Sequence, residues 1–415
     1  MKTINIGIIG LGNIGSALVE ALRKNRALIA QQHGIDIRIK KVCDVRRKMT
    51  ALPFTTDANA LIKDRQIDLI VEAVGGVHPA KKFILAALKA GKHVVTPNKE
   101  VIAKHLKEIL AVARRNRVRV FFEAAVGGGI PIIRPLRESL AGNKLSEVYG
   151  IVNGTTNYIL SQMTKEGSEF SDALAQAQKK GYAEPDPGAD IKGLDAAYKA
   201  VILASVAFGA DVDWQAVPIE GITAITQEDI QYAGDIGYVI KLLAVARLID
   251  GRLDIRVNPA LVPKGHPLAA VSDNFNAIYV KGEPVGELMF YGQGAGGGPT
   301  SSAIISDIIQ AGLAKKSPVL RQKRVRLKRI EEIASRYYIR LLAPDRFGVL
   351  AGIARAFAGK KVSIAAVVQK ETVGNLATIV ILLDKVPEKN MRSALKVIAR
   401  LPVVRKVCSV IRIVS

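Results

Sequence analysis

The chain opens with a short apolar run, Ile4 to Ile9, of the kind that fills a strand buried on both faces of a parallel sheet. A helical pattern follows at once in "SALVEAL". A second strand pattern runs from about Ile35 to Cys43. Apolar strands and amphipathic helices then alternate through "IDLIVEAVGG", "HPAKKFILAALKAG", "KHVVTPNKE" and "VRVFFEAAVGGGIP". This alternation predicts β–α units wound on both faces of a parallel sheet. The last of these segments reads as a strand that carries Glu123 and ends in three glycines. From Pro131 the pattern changes. "IPIIRPLRESLAG" is helical, "LSEVYGIVNGTTNYIL" is strand, turn and helix start, and "RLDIRVNPALVP" and "NAIYVKGEPVGELMFYGQGAGG" are strand-like. "GQGAGGGPTSSAIISDIIQA" is a glycine loop that opens a helix. After a basic stretch the chain ends in β-α-β-β-α-β, a ferredoxin-like unit with no catalytic grouping of its own.

The first strand and helix are joined by Gly10, Gly12 and Gly15 in G-x-G-x-x-G spacing. The first glycine permits a tight turn, the second lets backbone approach a pyrophosphate, and the third lets helix and strand pack closely. The expected fold is therefore α/β in three parts. A Rossmann-type doubly wound domain spans 1–130 and is completed by a helix near 299–314. An α+β domain for substrate and dimerisation spans 131–313. A basic linker, 314–334, leads to the ferredoxin-like domain, 335–415. The second strand ends at Asp44, an acid placed to take ribose hydroxyls and favour NAD, whereas Arg46, Arg47 and Lys48 can hold a 2′-phosphate. The residues leave the cofactor open between NADP and NAD, with NADP favoured. Gly75, Gly76 and Lys99 follow strands at the carboxyl edge, where such sheets bind ligands.

Composition narrows the function. Lys and Arg number 60 against 37 Asp and Glu, a net charge of +23. Nucleic acid is one reading of such a balance. Yet the basic residues are spread along the chain, and the densest cluster, Leu320 to Arg329, has no interleaved aromatics, so no nucleic-acid partner is expected. No apolar run reaches the roughly 18 residues that span a membrane. The N-terminus enters a strand directly and has no signal-peptide layout, which makes the cytoplasm the expected compartment. Two distant cysteines, Cys43 and Cys408, exclude a cysteine-based zinc site, and the five histidines show no paired spacing.

Against this background "GYAEPDPGADIKGLDAAYKAVILA", Gly181 to Ala204, stands out. Its first half holds Glu184, Asp186 and Asp190 among prolines and glycines and cannot be a regular helix. Its second half is helical and puts Asp195 and Lys199 on one face at i,i+4. The bland reading is a solvated loop with a surface ion pair. The functional one is that the four carboxylates and the lysine serve one site, with Asp186 and Asp190 divided between that site and loop capping.

Together "GLGNIG", "TPNKE", "FFEAAVGGGIPII", "GIVNGTTNYIL", "GYAEPDPGADIKGLDAAYKAVILA" and "YGQGAGGGPT" make the chain resemble homoserine dehydrogenase of the three-domain kind. The tail, through "PDRFGVLAGIARAF" and "VSIAAVVQK", is similar to an ACT domain. The resemblance implies reduction of L-aspartate 4-semialdehyde to L-homoserine with a nicotinamide cofactor, in threonine, methionine and isoleucine biosynthesis. It makes Lys199 the proton donor and places Lys99 between substrate and nicotinamide. Glu184 and Asp195 hold the amino acid's ammonium and hydroxyl end. Asn13, Ile14, Gly75, Gly76, Gly181 and Gly296 line the cofactor. A monovalent cation, usually sodium, sits near Glu123, Val126, Gly128 and Ile130. It also implies a homodimer or homotetramer and threonine as an allosteric ligand of the tail, near Asp345, with coupling through the linker. Cys43 and Phe347 stand where this family often has an arginine and a proline. Two other functions compete: another NAD(P)-dependent amino acid dehydrogenase, and a non-catalytic amino acid sensor.

Overall fold

The computed structural model describes residues 1–47, 49–313, 320 and 322–414, with the backbone alone at 370–373. They form two compact units. One comprises Met1–Val152, Tyr198–Ala216 and Asn276–Val325, and the other Asn153–Ala197, Val217–Phe275 and Arg326–Ser415. Lys48 and much of the expected linker lie outside the described residues.

The chain starts with β1 (Lys2–Ile9), α1 (Asn13–His33), β2 (Ile35–Cys43), β3 (Phe54–Thr55), α2 (Ala58–Ile62), β4 (Leu69–Glu72), α3 (Ala80–Lys89), β5 (His93–Val95), α4 (Lys99–Arg115) and β6 (Val120–Phe121). The strands lie parallel in the order β3-β2-β1-β4-β5-β6. The winding reverses between β1 and β4, and such a reversal opens a crevice at the carboxyl ends of those two strands. Helix boundaries follow local chemistry. Gly34 ends α1 in the left-handed region and donates its N–H to Ala30 O, while the Asn98 side chain caps α4 by accepting from Val101 N.

The segment read as a strand that carries Glu123 is different. β6 has two residues, and Glu123 lies in a 3-10 turn, Glu123–Ala125. Its carboxylate accepts from the backbone N–H groups of Ile132 (2.6 Å), Ile133 (2.7 Å) and Arg134 (2.9 Å). Those amides open the short helix α5 (Ile133–Arg137). The carboxylate therefore draws the chain back on itself, and Gly127 and Gly128, both at positive φ, allow the reversal.

The chain continues with β7 (Lys144–Ile151), α6 (Gly154–Glu166), α7 (Phe170–Lys179), α8 (Gly188–Ile191), α9 (Leu194–Phe208) and α10 (Gln227–Asp235). Next come the antiparallel pair β8 (Tyr238–Ile249) and β9 (Arg252–Pro263), then β10 (Phe275–Glu283), β11 (Gly286–Gln293) and α11 (Gly297–Leu313). In the first unit β10 pairs antiparallel with β7, and Ile304 and Ile308 of α11 join Ile6, Leu18, Ile35 and Val71 in one core. Burying such aliphatic side chains stabilises by about 1.5–3 kcal/mol each.

The tail is β12 (Ala334–Pro344), α12 (Val349–Ala358), β13 (Ile364–Val373), β14 (Leu376–Pro387), α13 (Glu388–Ile398) and β15 (Lys406–Ile413). This is the expected β-α-β-β-α-β order, with β12 central between β15 and β14. The tail is joined to its own unit by more than the linker. β15 pairs with β9 in parallel at Arg412↔Ala260 and Ile413↔Leu261. Arg340 of β12 donates to Asp229 Oδ1 (2.7 Å), to Thr226 Oγ1 (3.0 Å) and to Glu228, all at the start of α10. The tail thus meets its own unit along a direct seam as well as through the described part of the linker. Phe347 is fully exposed.

Both Arg340 and Asp229 are buried, at 4% and 0% exposure. Removing one partner of a buried ion pair leaves an uncompensated charge and costs about 3–5 kcal/mol. Arg340→Met should lower unfolding free energy in urea by that much, and adding Asp229→Asn should restore a large part of it. A single variant as stable as the wild type would mean that the pair does not hold the seam.

Candidate active site

A cleft of about 640 Å³ opens in the first unit at the β1/β4 reversal. One wall is the turn Gly12–Asn13–Ile14 at the start of α1. The second is Ala73–Gly76 after β4. The third is Pro97–Glu100, where α4 begins. Ala124, Ala125, Gly128, Gly294–Gly296, Thr300 and Lys199 complete it.

The three glycines differ as their spacing requires. Gly10 has φ +100°, and a methyl there would stand 2.5 Å from Ala73 O. A Cβ on Gly15 would meet Gly10 O at 1.9 Å. Nothing lies within 4 Å of a Cβ on Gly12. The outer two glycines are thus consumed by packing beneath the turn, and the middle one faces open space into which a phosphate can approach the backbone.

The floor is held by a buried acid that sequence reasoning missed. Glu72 closes β4 and is fully buried, and burial pushes its carboxyl above the usual range. One oxygen accepts from Val74 N (2.7 Å), the other from Thr96 Oγ1 (2.6 Å). Thr96 Oγ1 accepts from Asn98 N, and the Asn98 amide donates to Gly76 O (2.7 Å). One carboxylate therefore ties the glycine loop after β4 to the loop that presents Lys99. Its only sequence signal is an acid at the end of an apolar strand.

Lys99 is the first residue of α4. An ammonium there opposes the helix dipole, so helix stability does not explain it. Lys199, in the middle of α9, is buried at 8% exposure and donates to Val152 O at 2.6 Å. The cleft therefore gathers Gly12, Asn13, Ile14, Gly75, Gly76, Lys99, Gly128, Lys199 and Gly296 from the residues singled out in the sequence.

Others stand elsewhere. Asp44 accepts from Leu11 N (2.7 Å) and Arg46 N (3.2 Å), so its carboxylate braces the glycine turn. Arg46 and Arg47 are exposed. Val126 and Ile130 are buried in the loop after β6. Among the described residues no group of three or more His, Cys, Asp and Glu could hold a metal ion. The two cysteines offer no thiolate, since burial pushes Cys43 up to about 11 and raises Cys408 too.

Gly181, Glu184 and Asp195 belong to the second unit. Gly181 has φ +73° and Glu184 is exposed. Asp195 is buried, and it meets Asp190 on one side-chain amide. Asn153 Nδ2 donates to Asp195 Oδ2 (2.9 Å) and Asp190 Oδ1 (2.7 Å), while Asn153 Oδ1 accepts from Thr156 N and caps α6. Asp190 thus sides with Asp195, whereas Asp186 only closes its own loop on Gly188 N (3.1 Å). Asn153 was not singled out, although an Asn before Gly-Thr-Thr is a recognisable helix cap.

A parallel sheet with a glycine turn at its reversal point, and two lysines in the crevice above, define a nicotinamide-dependent oxidoreductase. Comparisons with known proteins narrow that class. The family profile "Homoserine dehydrogenase" matches residues 131–309, "Homoserine dehydrogenase, NAD binding domain" matches 10–123, and "ACT domain" matches 337–403. A homoserine dehydrogenase of Synechocystis sp. is 43% identical over 100% of both chains, and one of Bacillus subtilis 38% identical over 100% of this chain and 99% of its own. The solved homoserine dehydrogenase of Thiobacillus denitrificans superposes with a TM-score of 0.95 at 39% identity, covering 100% of this chain and 99% of that one. A hyperthermophilic archaeal homoserine dehydrogenase mutant, solved in complex with NADPH, has a TM-score of 0.65 at 29% identity over 77% of this chain and all of its own. The chain belongs to the homoserine dehydrogenase family and is an NAD(P)-dependent oxidoreductase acting on a CH–OH group.

The Glu72 bridge makes a prediction about the cleft. Glu72→Ala frees both loops, so the affinity for NADPH, read by fluorescence titration, should fall about 10-fold or more, equivalent to about 1.4 kcal/mol. Unchanged affinity would limit Glu72 to a local role.

Proposed function

We propose that the chain interconverts L-aspartate 4-semialdehyde and L-homoserine, with Lys199 as proton donor to the reacting oxygen and Lys99 as a second positive group beside it. The observation that carries this reading is the presence of both lysines in the cleft formed by the glycine turn. A nicotinamide bound there supplies the hydride. The chain's own residues supply positive support for the oxygen that gains negative charge, and then its proton. Burial of Lys199 and its bond to Val152 O fix the ammonium before substrate arrives. The acids serve the other end of the substrate. Asp195, four residues before Lys199 on the same helix, and Glu184 accept from the substrate ammonium, and Asn153 holds Asp190 and Asp195 in place for that purpose.

The finer assignments rest on the same residues. NADP is favoured over NAD, with exposed Arg46 and Arg47 available to a 2′-phosphate and Asp44 occupied by backbone amides. A sodium ion near Glu123, Val126, Gly128 and Ile130 would be held by main-chain oxygens, hard donors that suit it, because the Glu123 carboxylate is committed to three amides. Threonine is the proposed ligand of the ACT domain, near Asp345, whose carboxylate accepts from Gln369 (3.2 Å), and the chain acts as a homo-oligomer.

Three measurements follow. Lys199→Ala should lower kcat by about 10²-fold or more, the scale for loss of a positioned proton donor. NADPH affinity should stay unchanged, and a variant keeping most of its turnover removes Lys199 from the chemistry. Changing Arg46 and Arg47 together to serine should shift the kcat/KM ratio from NADPH towards NADH, and a constant ratio means that they point elsewhere. Threonine should inhibit the full chain and lose potency in Asp345→Ala; equal inhibition of both, or none of either, contradicts the regulatory reading.

A further inference from the structure

The two lysines of the cleft stand on different helices, Lys99 at the start of α4 and Lys199 on α9. A little over one turn beyond Lys99, α4 meets α9 through a third lysine. Lys104 Nζ lies over two aromatic rings, 5.2 Å from the centroid of Tyr198 and 4.8 Å from that of Trp214. The rings also touch each other, with centroids 5.3 Å apart and planes inclined at 59°. Tyr198 is buried and immediately precedes Lys199, and Trp214 opens the 3-10 turn Trp214–Ala216 that follows α9.

The same ammonium donates to Glu100 Oε1 at 2.6 Å. Glu100 is the residue after Lys99 and lines the cleft with it. An i,i+4 pair on an open helix surface contributes little. This pair is not on an open surface, because the Lys104 side chain is 21% exposed and that of Glu100 31%. Attraction between an ammonium and an aromatic face strengthens as water is removed. Burial alone would lower the Lys104 ammonium, yet Glu100 and Tyr198 outweigh it and hold it above its ordinary range, so it stays charged at neutral pH. α4 meets the segment after α9 once more, where Lys107 donates to Asp211 Oδ2 (2.5 Å). Lys107 is 74% exposed, and that second pair is a weak tie.

We propose that Lys104 is a positioning residue for the reaction, whose ammonium clamps α4 to α9 and so fixes Lys99 and Lys199 relative to each other. Each jaw of the clamp closes beside a lysine of the cleft. On α4 it grips Glu100, next to Lys99; on α9 it grips Tyr198, next to Lys199. Trp214 backs the second jaw. Lys199 has its own anchor at Val152 O, so a slip of α4 would move Lys99 away from it. A misplacement of about 1 Å caused far from the chemistry can cost about 10²-fold in rate. The positioning role rests on the cleft being catalytic, as proposed above; the contact between cation and rings does not.

The test is steady-state oxidation of homoserine with NADP by the full chain and by three variants. Lys104→Met keeps the apolar stem and removes the charge. It should lower kcat about 10-fold or more and leave the NADPH dissociation constant within about two-fold of wild type. Lys104→Arg should recover most of kcat, since a guanidinium keeps the charge and stacks on aromatic faces. Trp214→Leu leaves the Lys104–Glu100 pair in place and should also lower kcat. Combined with Lys104→Met it should add nothing further, because both remove one interaction. Trp214 is the chain's one tryptophan, so its emission reports the contact. The spectrum should shift in Lys104→Met and return in Lys104→Arg. Thermal unfolding checks that each variant is folded, and should Lys104→Met not fold, Trp214→Leu decides. Wild-type kcat in either folded variant, a loss that arginine does not restore, additive losses in the pair, or unchanged emission overturns the clamp. So does a loss of NADPH affinity as large as the loss of kcat. A wild type that oxidises no homoserine sinks the reaction proposed above, whereas an active wild type beside an equally active Lys104→Met sinks the clamp alone.

Discussion

The cleft depends on how closely three backbone segments approach one another beneath it. Gly15 packs on Gly10 O, Gly10 packs on Ala73 O, and no side chain fits at either place. That contact fixes the start of α1 against the end of β4. It leaves the turn at Gly12 open at the helix N-terminus, a place where a phosphate can approach backbone. Beneath the same loops a single buried carboxylate, Glu72, joins the Gly75–Gly76 turn to the Thr96–Asn98 loop. Lys99 inherits its place from that bridge. The glycine turn and Lys99 are therefore set by one continuous framework.

The chemistry proposed for the cleft is matched by the side chains it holds. No zinc-type ligand cluster is found among the described residues, and both thiols are held protonated by burial. No histidine is among the described residues that line the cleft, whereas Lys99 and Lys199 are. Lys199 is buried and donates to a backbone carbonyl, Val152 O, which holds its ammonium in one place. In the second unit Asn153 gathers Asp190 and Asp195, the acids proposed to take an amino acid's ammonium.

Local signals made much of this legible. β1, β2, the glycine turn and the β-α-β-β-α-β tail follow from periodicity and turn chemistry, and β2 ends at Cys43 as its pattern requires. The i,i+4 spacing of Asp195 and Lys199 is equally local. What could not be read depends on partners far along the chain. The strand expected at Glu123 fails because its carboxylate binds amides about ten residues ahead. Glu72 looks like one more strand residue until Thr96 is placed beside it. Asn153 shows its cap in the sequence but not the two carboxylates it gathers from 37 and 42 residues away. The seam between Arg340 and Asp229 spans 111 residues, and no periodicity reports it.

The central claim is that this cleft carries a hydride between a nicotinamide and the carbon that bears the substrate's hydroxyl. Its most direct test uses homoserine with deuterium on that carbon, turned over by the full chain with oxidised NADP or NAD, and mass spectrometry of the reduced cofactor. The account predicts one deuterium in the nicotinamide ring for each homoserine consumed. Reduced cofactor without deuterium, or no reduction of either cofactor, would contradict it.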